Sequence, residues 1–175
     1  MVRKILAAKE QSLRMPSKPV ERVDKKILQI VNDLKETLAA QKDPEGVGLA
    51  APQIGKNLRI FVVVFNKISL VAINPEIVSV SSQLTEDSEK KDQIMEGCLS
   101  LPHFYGPLRR AKSITLKYLT PEGKEKTEEF SGFIAQIVQH ELDHLKGILF
   151  VDRLLEQKKS LYRQAGDEWE EVELT

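Results

Sequence analysis

The sequence contains a single cysteine, few aromatic residues and no excess of either charge. One cysteine in 175 residues excludes an intrachain disulfide framework and a zinc ribbon built on paired cysteines. Lys and Arg number 26, and Asp and Glu also number 26. Dedicated nucleic-acid-binding proteins usually carry a clearly basic surface, so we expect no dedicated nucleic-acid partner. The role of the one thiol, Cys98, therefore has to be explained in another way.

Long hydrophobic runs are also absent. The longest one covers residues 60–65, whereas a membrane-spanning helix needs roughly 20 apolar residues. The first nine residues carry charge too early, and too few apolar residues, for a signal peptide. We therefore expect no membrane partner and a reducing, cytoplasmic location of the bacterial type. An organellar protein whose transit peptide has been removed stays open as an alternative.

The length and the composition predict one domain that covers residues 1–175. Hydrophobic residues make up 41% of the chain and charged residues 30%, which is typical of a folded protein with its own core. The last residues, 167–175, are mostly acidic. We expect this tail to be frayed.

Hydrophobic periodicity predicts both helices and strands. Apolar residues recur at three- and four-residue steps over residues 23–40, which indicates a helix. Residues 131–146 predict a second helix that begins after Ser131 and ends before Gly147, and residues 154–165 predict a shorter third one. Runs of β-branched and aromatic residues predict strands at 59–65, 69–73, 76–80, 113–119 and 124–130.

The second helix carries the strongest chemical signal, His140-Glu141-Leu142-Asp143-His144. Histidines four residues apart lie about 40° apart around a helix, so both imidazoles can bind one metal ion. They share their half of the helix with apolar residues, which places the site towards the core. Glu141 next to a metal ion in a dry pocket is suited to take a proton from water.

Two histidines need a third protein ligand, and the residues leave its identity open. No His or Cys follows His144, so a downstream ligand would have to be an acid such as Glu156 or Glu168. Upstream, Cys98 lies in a glycine-containing turn. A thiolate and two imidazoles leave one position open, which is the pattern of catalytic sites. A structural metal site, or a cysteine that only packs in the core, is the alternative.

Three segments together resemble the three signature motifs of the peptide deformylase family, in the same order. They are residues 46–53 (GVGLAAPQ), 96–100 (EGCLS) and 139–145 (QHELDHL). The resemblance implies an α+β fold in which antiparallel β-sheets pack around a central metal-binding helix. It also implies a hydrolase that removes the N-formyl group from the initiator methionine of nascent proteins and releases formate.

The resemblance assigns roles to six residues of the site. It implies that Cys98, His140 and His144 bind one divalent metal ion, Fe(II) in most of the family and Zn, Ni or Co in some members. Glu141 would be the general base and then the general acid. The side-chain amide of Gln53 and the backbone N–H of Leu99 would stabilise the oxyanion.

The expected substrate is an N-formylmethionyl nascent peptide, which also suggests an encounter with the ribosome near its exit tunnel. The backbone at Val47 and Gly48 would pair with the peptide as an added strand. Ile94, Phe133 and Ile137 would line a pocket for methionine, with ordinary core packing as the alternative. Tyr105 falls where many bacterial members have an arginine that contacts the peptide.

Two other functions fit parts of the same pattern. A metallopeptidase could use the His-Glu-x-x-His helix with a downstream glutamate, and it would keep its metal without Cys98. A non-catalytic protein could bind metal or formyl peptides without turnover. The presence of both Gln53 and Glu141 argues against the second alternative, because binding alone requires no base.

Overall fold

The computed structural model describes residues 1–85 and 95–174. The helices in this part of the chain are α1 (Lys25–Ala39), α2 (Gly132–Leu145) and α3 (Phe150–Glu156). The strands are β1 (Gly48–Ala50), β2 (Ile60–Phe65), β3 (Ile68–Val80), β4 (Glu96–Cys98), β5 (Leu101–Gly106), β6 (Ser113–Leu119), β7 (Glu125–Ser131), β8 (Leu161–Ala165) and β9 (Glu168–Val172). The two sheets are antiparallel, which confirms the predicted α+β class. None of the helices in the described ranges has both the length and the apolar character to cross a membrane.

Helices cover both faces of the larger sheet. Its strand order is β1-β2-β3-β6-β7, and α2 packs on one face and α1 on the other. Side chains alternate along a strand, so Phe61 and Val63 of β2 face α2 whereas Ile60 and Val62 face α1. Burial on both faces explains why β2 is an uninterrupted apolar run.

The bounds of α1 follow from its capping residue. The carboxylate of Asp24 accepts hydrogen bonds from the backbone N–H groups of Lys26 (2.9 Å) and Ile27 (3.0 Å). These bonds satisfy donors that have no partner within the helix. The helix therefore begins two residues later than its apolar pattern predicts.

The end of α2 is fixed by Gly147, as predicted. This residue has a φ of 74°, a left-handed conformation that favours glycine after a helix. A Cβ at this position would also lie 2.4 Å from the carbonyl oxygen of Arg14. The helix that carries the two histidines is thus closed directly against the N-terminal segment.

That N-terminal segment, residues 1–21, is mostly irregular, and we refer to it as the N-terminal arm. It contacts all three motif-bearing parts of the chain through backbone hydrogen bonds. Leu6 donates to the carbonyl of Gln53 (2.8 Å), and Ala8 donates to that of Ser100 (2.8 Å). The N–H of Ser17 donates to the carbonyl of Leu145 (2.9 Å). The arm therefore connects the three segments that form the site.

The smaller sheet, in the order β4-β5-β8-β9, corrects two predictions. The expected helix over residues 154–165 is wrong: α3 ends at Glu156, and β8 pairs with β5 instead. Lys158 has a φ of 53°, a left-handed conformation incompatible with a continuing helix. The tail is not frayed at Glu168–Val172, because this segment forms β9 and pairs with β8 along its whole length.

The strands predicted at 69–73 and 76–80 are one strand, β3. Its pairing with β6 shifts register between Ile73 and Glu76. Asn74 adopts a φ of 49° at this irregularity, and its side chain is hydrogen-bonded to the backbone of Val20 at both the N–H and the carbonyl (2.7 Å each). The Asn-Pro pair therefore marks a bulge and not a strand end.

Candidate metal centre and active site

Three ligand atoms meet between β4 and α2. The Nε2 atoms of His140 and His144 lie 3.2 Å apart, and the Sγ of Cys98 lies 3.3 Å from the Nε2 of His144. All three atoms lie within 4.8 Å of one another. Ligands of one tetrahedral ion, with bonds of about 2.1 Å to nitrogen and 2.3 Å to sulfur, are separated by about 3.4–3.6 Å. The donor set therefore fits a single metal ion, as predicted.

The local structure explains why these atoms converge. The two histidines occupy successive turns on one face of α2. Cys98 ends β4, where the pairing with β5 shifts register between Gly97 and Cys98.

The surroundings of the Cys98 thiol favour its charged form. Burial acts to raise the pKa of Cys98, but the charges and hydrogen bonds of His144 and His140 hold it well below its usual range. A thiolate is the form that binds metal.

A buried ionic network orients His140. Its Nδ1 lies 2.6 Å from Oε1 of Glu96, and Arg110 donates to both oxygens of this carboxylate (2.6 and 3.0 Å). Burial acts to raise the pKa of Glu96, but the Arg110 charge and the bond to His140 hold it at about 2. An ionised Glu96 accepts the Nδ1–H of His140, so the Nε2 lone pair is free for metal binding.

The network continues to α2 and α3. Arg110 also donates to Oδ2 of Asp143 (2.7 Å), and Arg153 donates to both oxygens of the same aspartate (2.8 and 3.1 Å). The charges of Glu96 and Asp143 are thus compensated inside the protein. Sequence reasoning did not find these partners. Glu96 could have been predicted to lie near the site, because it shares a strand face with Cys98 two residues later. Nothing in the sequence connects Arg110 with either acid.

The carboxylate of Glu141 is buried beside the metal ligands. Only 3% of the residue is exposed, and burial raises its pKa to about 7. Its Oε2 has no hydrogen-bond partner within the described residues. A Cβ at Gly48 would lie 2.3 Å from its Oε1. Gly48 therefore makes room for this carboxylate against the backbone of β1, a role that the glycine-rich pattern alone did not indicate.

The side chain of Gln53 is held in a fixed orientation. Its Oε1 accepts from the N–H of Ala50 (2.9 Å), while its Nε2 donates to Oγ of Ser100 (3.0 Å). The same Nε2 lies 3.6 Å from Sγ of Cys98. Only 1% of Gln53 is exposed, so its amide nitrogen faces Ser100 and Cys98 and not solvent.

A cavity of about 210 Å³ opens onto this group of residues. Its lining includes most of the predicted site: Val47, Gly48, Gln53, Cys98, Leu99, Tyr105, Phe133, Ile137, His140 and Glu141. His144 is not a lining residue. Ile94, predicted for the methionine pocket, lies outside the described residues. His103 lies in β5 with a φ of 67° and also lines the cavity.

The acids that a metallopeptidase would need are not in this cavity. Glu156 accepts a hydrogen bond from Arg153 (2.9 Å) and lines a different cleft. Glu168 lies on the exposed strand β9. The metal group found within the described residues consists of the cysteine and the two histidines. The fold and the site together are those of a hydrolase with a candidate metal group of one cysteine and two histidines.

Comparisons with known proteins identify the family. The sequence model described as polypeptide deformylase matches residues 2–160. The peptide deformylase of Pseudothermotoga lettingae is 42% identical over 164 residues, which cover 94% of this chain and 90% of that protein. The crystal structure of the Thermotoga maritima enzyme superposes with a TM-score of 0.79 at 34% identity, covering 87% of this chain and 97% of that one. For the Legionella pneumophila enzyme the TM-score is 0.76 at 40% identity, with 88% and 86% covered.

The chain belongs to the peptide deformylase family. Members of this family are enzymes that hydrolyse N-formylmethionyl peptides.

Proposed function

We propose that the cavity binds the formylated end of a nascent chain and that the residues around it hydrolyse the formamide bond to give formate and a free amine. One observation carries this proposal. The Glu141 carboxylate and the Gln53 amide line the same cavity as Cys98 and His140, two members of the candidate metal group. A base, an oxyanion donor and a metal site are thus placed around one small carbonyl.

Cys98, His140 and His144 would hold one divalent ion, and we propose Fe(II), with Zn, Ni or Co as alternatives. A thiolate with two imidazoles suits all of these metals. When bound, the ion supplies a Lewis acid that polarises the formyl carbonyl and lowers the pKa of water. A ferrous ion held by a thiolate is consistent with the reducing, cytoplasmic compartment that the single cysteine suggests.

Glu141 would move the proton in both halves of the reaction. With a pKa of about 7, the carboxylate exchanges protons readily near neutral pH. Its Oε2 takes a proton from water as the hydroxyl oxygen bonds to the formyl carbon. When the bond from this carbon to nitrogen breaks, the same oxygen delivers the proton to the leaving amine. Formic acid and an uncharged amine result, and Glu141 returns to its ionised state. The formic acid then passes its proton to the amine or to water and leaves as formate.

The developing negative charge on the formyl oxygen needs donors that are already in place. The Nε2 of Gln53 and the backbone N–H of Leu99 would supply them. The hydrogen bond from Ala50 to Gln53 supports this role, because it fixes which end of the amide faces the site. Donors that need no reorganisation stabilise a transition state more than mobile ones do.

The peptide would bind along the edge of the larger sheet. Strand β1 pairs with β2 on one side and is the first strand in the sheet order. Val47 and Gly48 line the cavity at this edge, where an extended peptide can add as a further strand. Phe133 and Ile137, about two turns and one turn before His140 on α2, would contact the methionine side chain. A substrate of this kind also implies that the enzyme acts close to the ribosomal exit tunnel.

Formate release from formyl-Met-Ala-Ser tests the proposal. The protein is purified without oxygen, loaded with Fe(II) or Ni(II), and compared with Glu141→Ala at equal metal content. We expect formate from the wild type and a loss of roughly 10²–10⁴-fold in the variant, the usual effect of removing a general base. A protein with one metal ion per chain that releases no formate would contradict the proposal. Cys98→Ala is the second control, because a metallopeptidase that does not use this thiol would keep its metal.

A further inference from the structure

Tyr105 forms a wall of the cavity and rests directly on β4. A Cβ at Gly97 would lie 2.6 Å from two carbons of the Tyr105 ring, and the two residues are paired across β4 and β5. The ring is therefore in contact with the backbone one residue before Cys98. Its position is set by the absence of a side chain at Gly97.

Trp169 continues this wall away from the metal ligands. The rings of Tyr105 and Trp169 pack edge to face, with centroids 5.4 Å apart and an interplanar angle of 71°. Strand β8 lies between them: Tyr105 pairs with Tyr162, and Trp169 pairs with Gln164. Since these two β8 residues are two positions apart, their side chains share one face of the sheet. The aromatic contact therefore reaches across β8 on the face where Tyr105 lines the cavity.

Trp169 is 48% exposed, although tryptophan is among the side chains that gain most from burial. Glu171, the β9 residue on the same face as Trp169, is an exposed acid, so the strand provides no apolar neighbour that would cover the indole. Trp169 is also the sole tryptophan of the chain. A large apolar surface is thus placed beside the mouth of a ligand cavity, and its contact with Tyr105 covers only part of it.

We propose that Tyr105 and Trp169 form one aromatic wall that receives a residue following the formylmethionine, which makes Trp169 a specificity-determining residue. The preferred substrates would be formylmethionyl peptides with an aromatic side chain at the second or third position. This inference rests on the proposed function, because it extends the same peptide site. It assigns the β8–β9 hairpin, which lies more than ten residues beyond the last motif, to substrate selection.

The fluorescence of Trp169 tests the contact directly, since no other tryptophan contributes to the signal. Metal-loaded Glu141→Ala is titrated with formyl-Met-Ala-Phe, with formyl-Met-Phe-Ala and with formyl-Met-amide, which has no later residue. We expect at least one of the two longer peptides to shift the emission to shorter wavelength with saturation, because it shields the indole from water. Formyl-Met-amide should cause no such shift. Identical spectra with all three ligands, at concentrations shown to occupy the site, would overturn the proposal.

Kinetics on otherwise wild-type protein provide a second test. The measured quantity is kcat/KM for each aromatic peptide divided by kcat/KM for formyl-Met-amide. We expect Trp169→Ala to lower this ratio about fivefold, mainly through KM, which is the usual size of an aromatic contact. Trp169→Phe should restore most of it, and Glu168→Gln, on the same strand, should leave it unchanged.

The two tests separate the failure of this inference from that of the proposed function. Formate release by the wild type with an unchanged ratio in Trp169→Ala would refute the aromatic wall alone. No formate from any substrate would refute the proposed function, while the fluorescence titration, which needs only binding, would still decide the wall. Melting temperatures of the variants show whether a lowered ratio comes with loss of the fold. If Trp169→Ala does not fold, the fluorescence titration on Glu141→Ala carries the decision.

Discussion

The carboxylate of Glu141 occupies the space that a side chain at Gly48 would fill. A Cβ on Gly48 would lie 2.3 Å from Oε1 of Glu141 and 3.0 Å from a methyl group of Ile137. The edge strand that we assign to the peptide and the helix that carries the base are therefore in direct contact. Any change of size at Gly48 displaces either the base or the wall of the methionine pocket.

Gly48→Ala should consequently impair catalysis much more than stability. Gly48 does not have a positive φ, so alanine is compatible with its backbone, and the clash falls on the Glu141 side chain. A displacement of about 1 Å at a catalytic group can lower the rate roughly 100-fold. We expect a loss of this size in kcat/KM for formyl-Met-Ala-Ser with the metal content unchanged. Full activity in a correctly folded variant would show that Glu141 does not need its present position.

Ile137→Trp should block the methionine pocket. The larger side chain would fill the cavity next to Phe133, so long side chains would no longer fit. We expect kcat/KM for formyl-Met-Ala-Ser to fall at least tenfold relative to that for formyl-Gly-Ala-Ser, whose first residue needs no pocket. Measuring both substrates on one preparation removes differences in metal loading. An unchanged ratio in a folded variant would rule out Ile137 as a pocket residue.

Arg110→Met should destabilise the protein strongly, because it leaves the buried carboxylates of Glu96 and Asp143 without their shared partner. Removing one member of a buried ion pair typically costs about 3–5 kcal/mol. We expect a decrease of this order in the free energy of unfolding in urea, together with weaker retention of metal against a chelator. Arg153→Met is the matched control, since its side chain is 28% exposed against 7% for Arg110. Equal effects of the two substitutions would contradict the importance of burial.

Asp33 should contribute to stability only above strongly acidic pH. Burial acts to raise its pKa, but hydrogen bonds from the Met1 amine, Gln29 and Arg3 lower it to about 2, from an ordinary value of 3.8. A carboxyl whose pKa is lowered by folding stabilises the protein above the unfolded value and loses this contribution as pH falls through the folded value. The difference in unfolding free energy between wild type and Asp33→Asn should therefore be constant above about pH 5. It should shrink from pH 4 towards pH 2. A difference that is independent of pH would show that the ionised form of Asp33 is not the source of its effect.

Helices α1 and α2 could be predicted from the sequence, because the residues that indicate each of them are close together in the chain. The apolar period of α1 and the glycine after α2 each depend on a few neighbouring residues. So does the spacing of His140 and His144 on one helix face. The ligand set needed Cys98 from a different strand, and only the three motifs together identified it. A local sequence pattern was therefore sufficient to predict those features that lie within a single helix.

Contacts between distant elements account for what the sequence did not reveal. Residues 161–165 have a helical composition, but β5 offers them a free edge, and pairing with it outweighs their intrinsic preference. Arg110 carries no sign of its role, because its partners lie 14 and 33 residues away along the chain. The proximity of Trp169 to the cavity likewise depends on β8 and β9, which were not predicted as strands.

The contacts of the N-terminal arm determine when the site can form during synthesis of the chain. Ser17 leaves the ribosome long before its hydrogen-bond partner Leu145, which lies far along the chain from it. Contacts between positions this far apart form late and slowly. The three motif segments are therefore joined by the arm only after Leu145 has emerged. A growing chain of this enzyme thus has no complete site with which to act on its neighbours until its third motif has been synthesised.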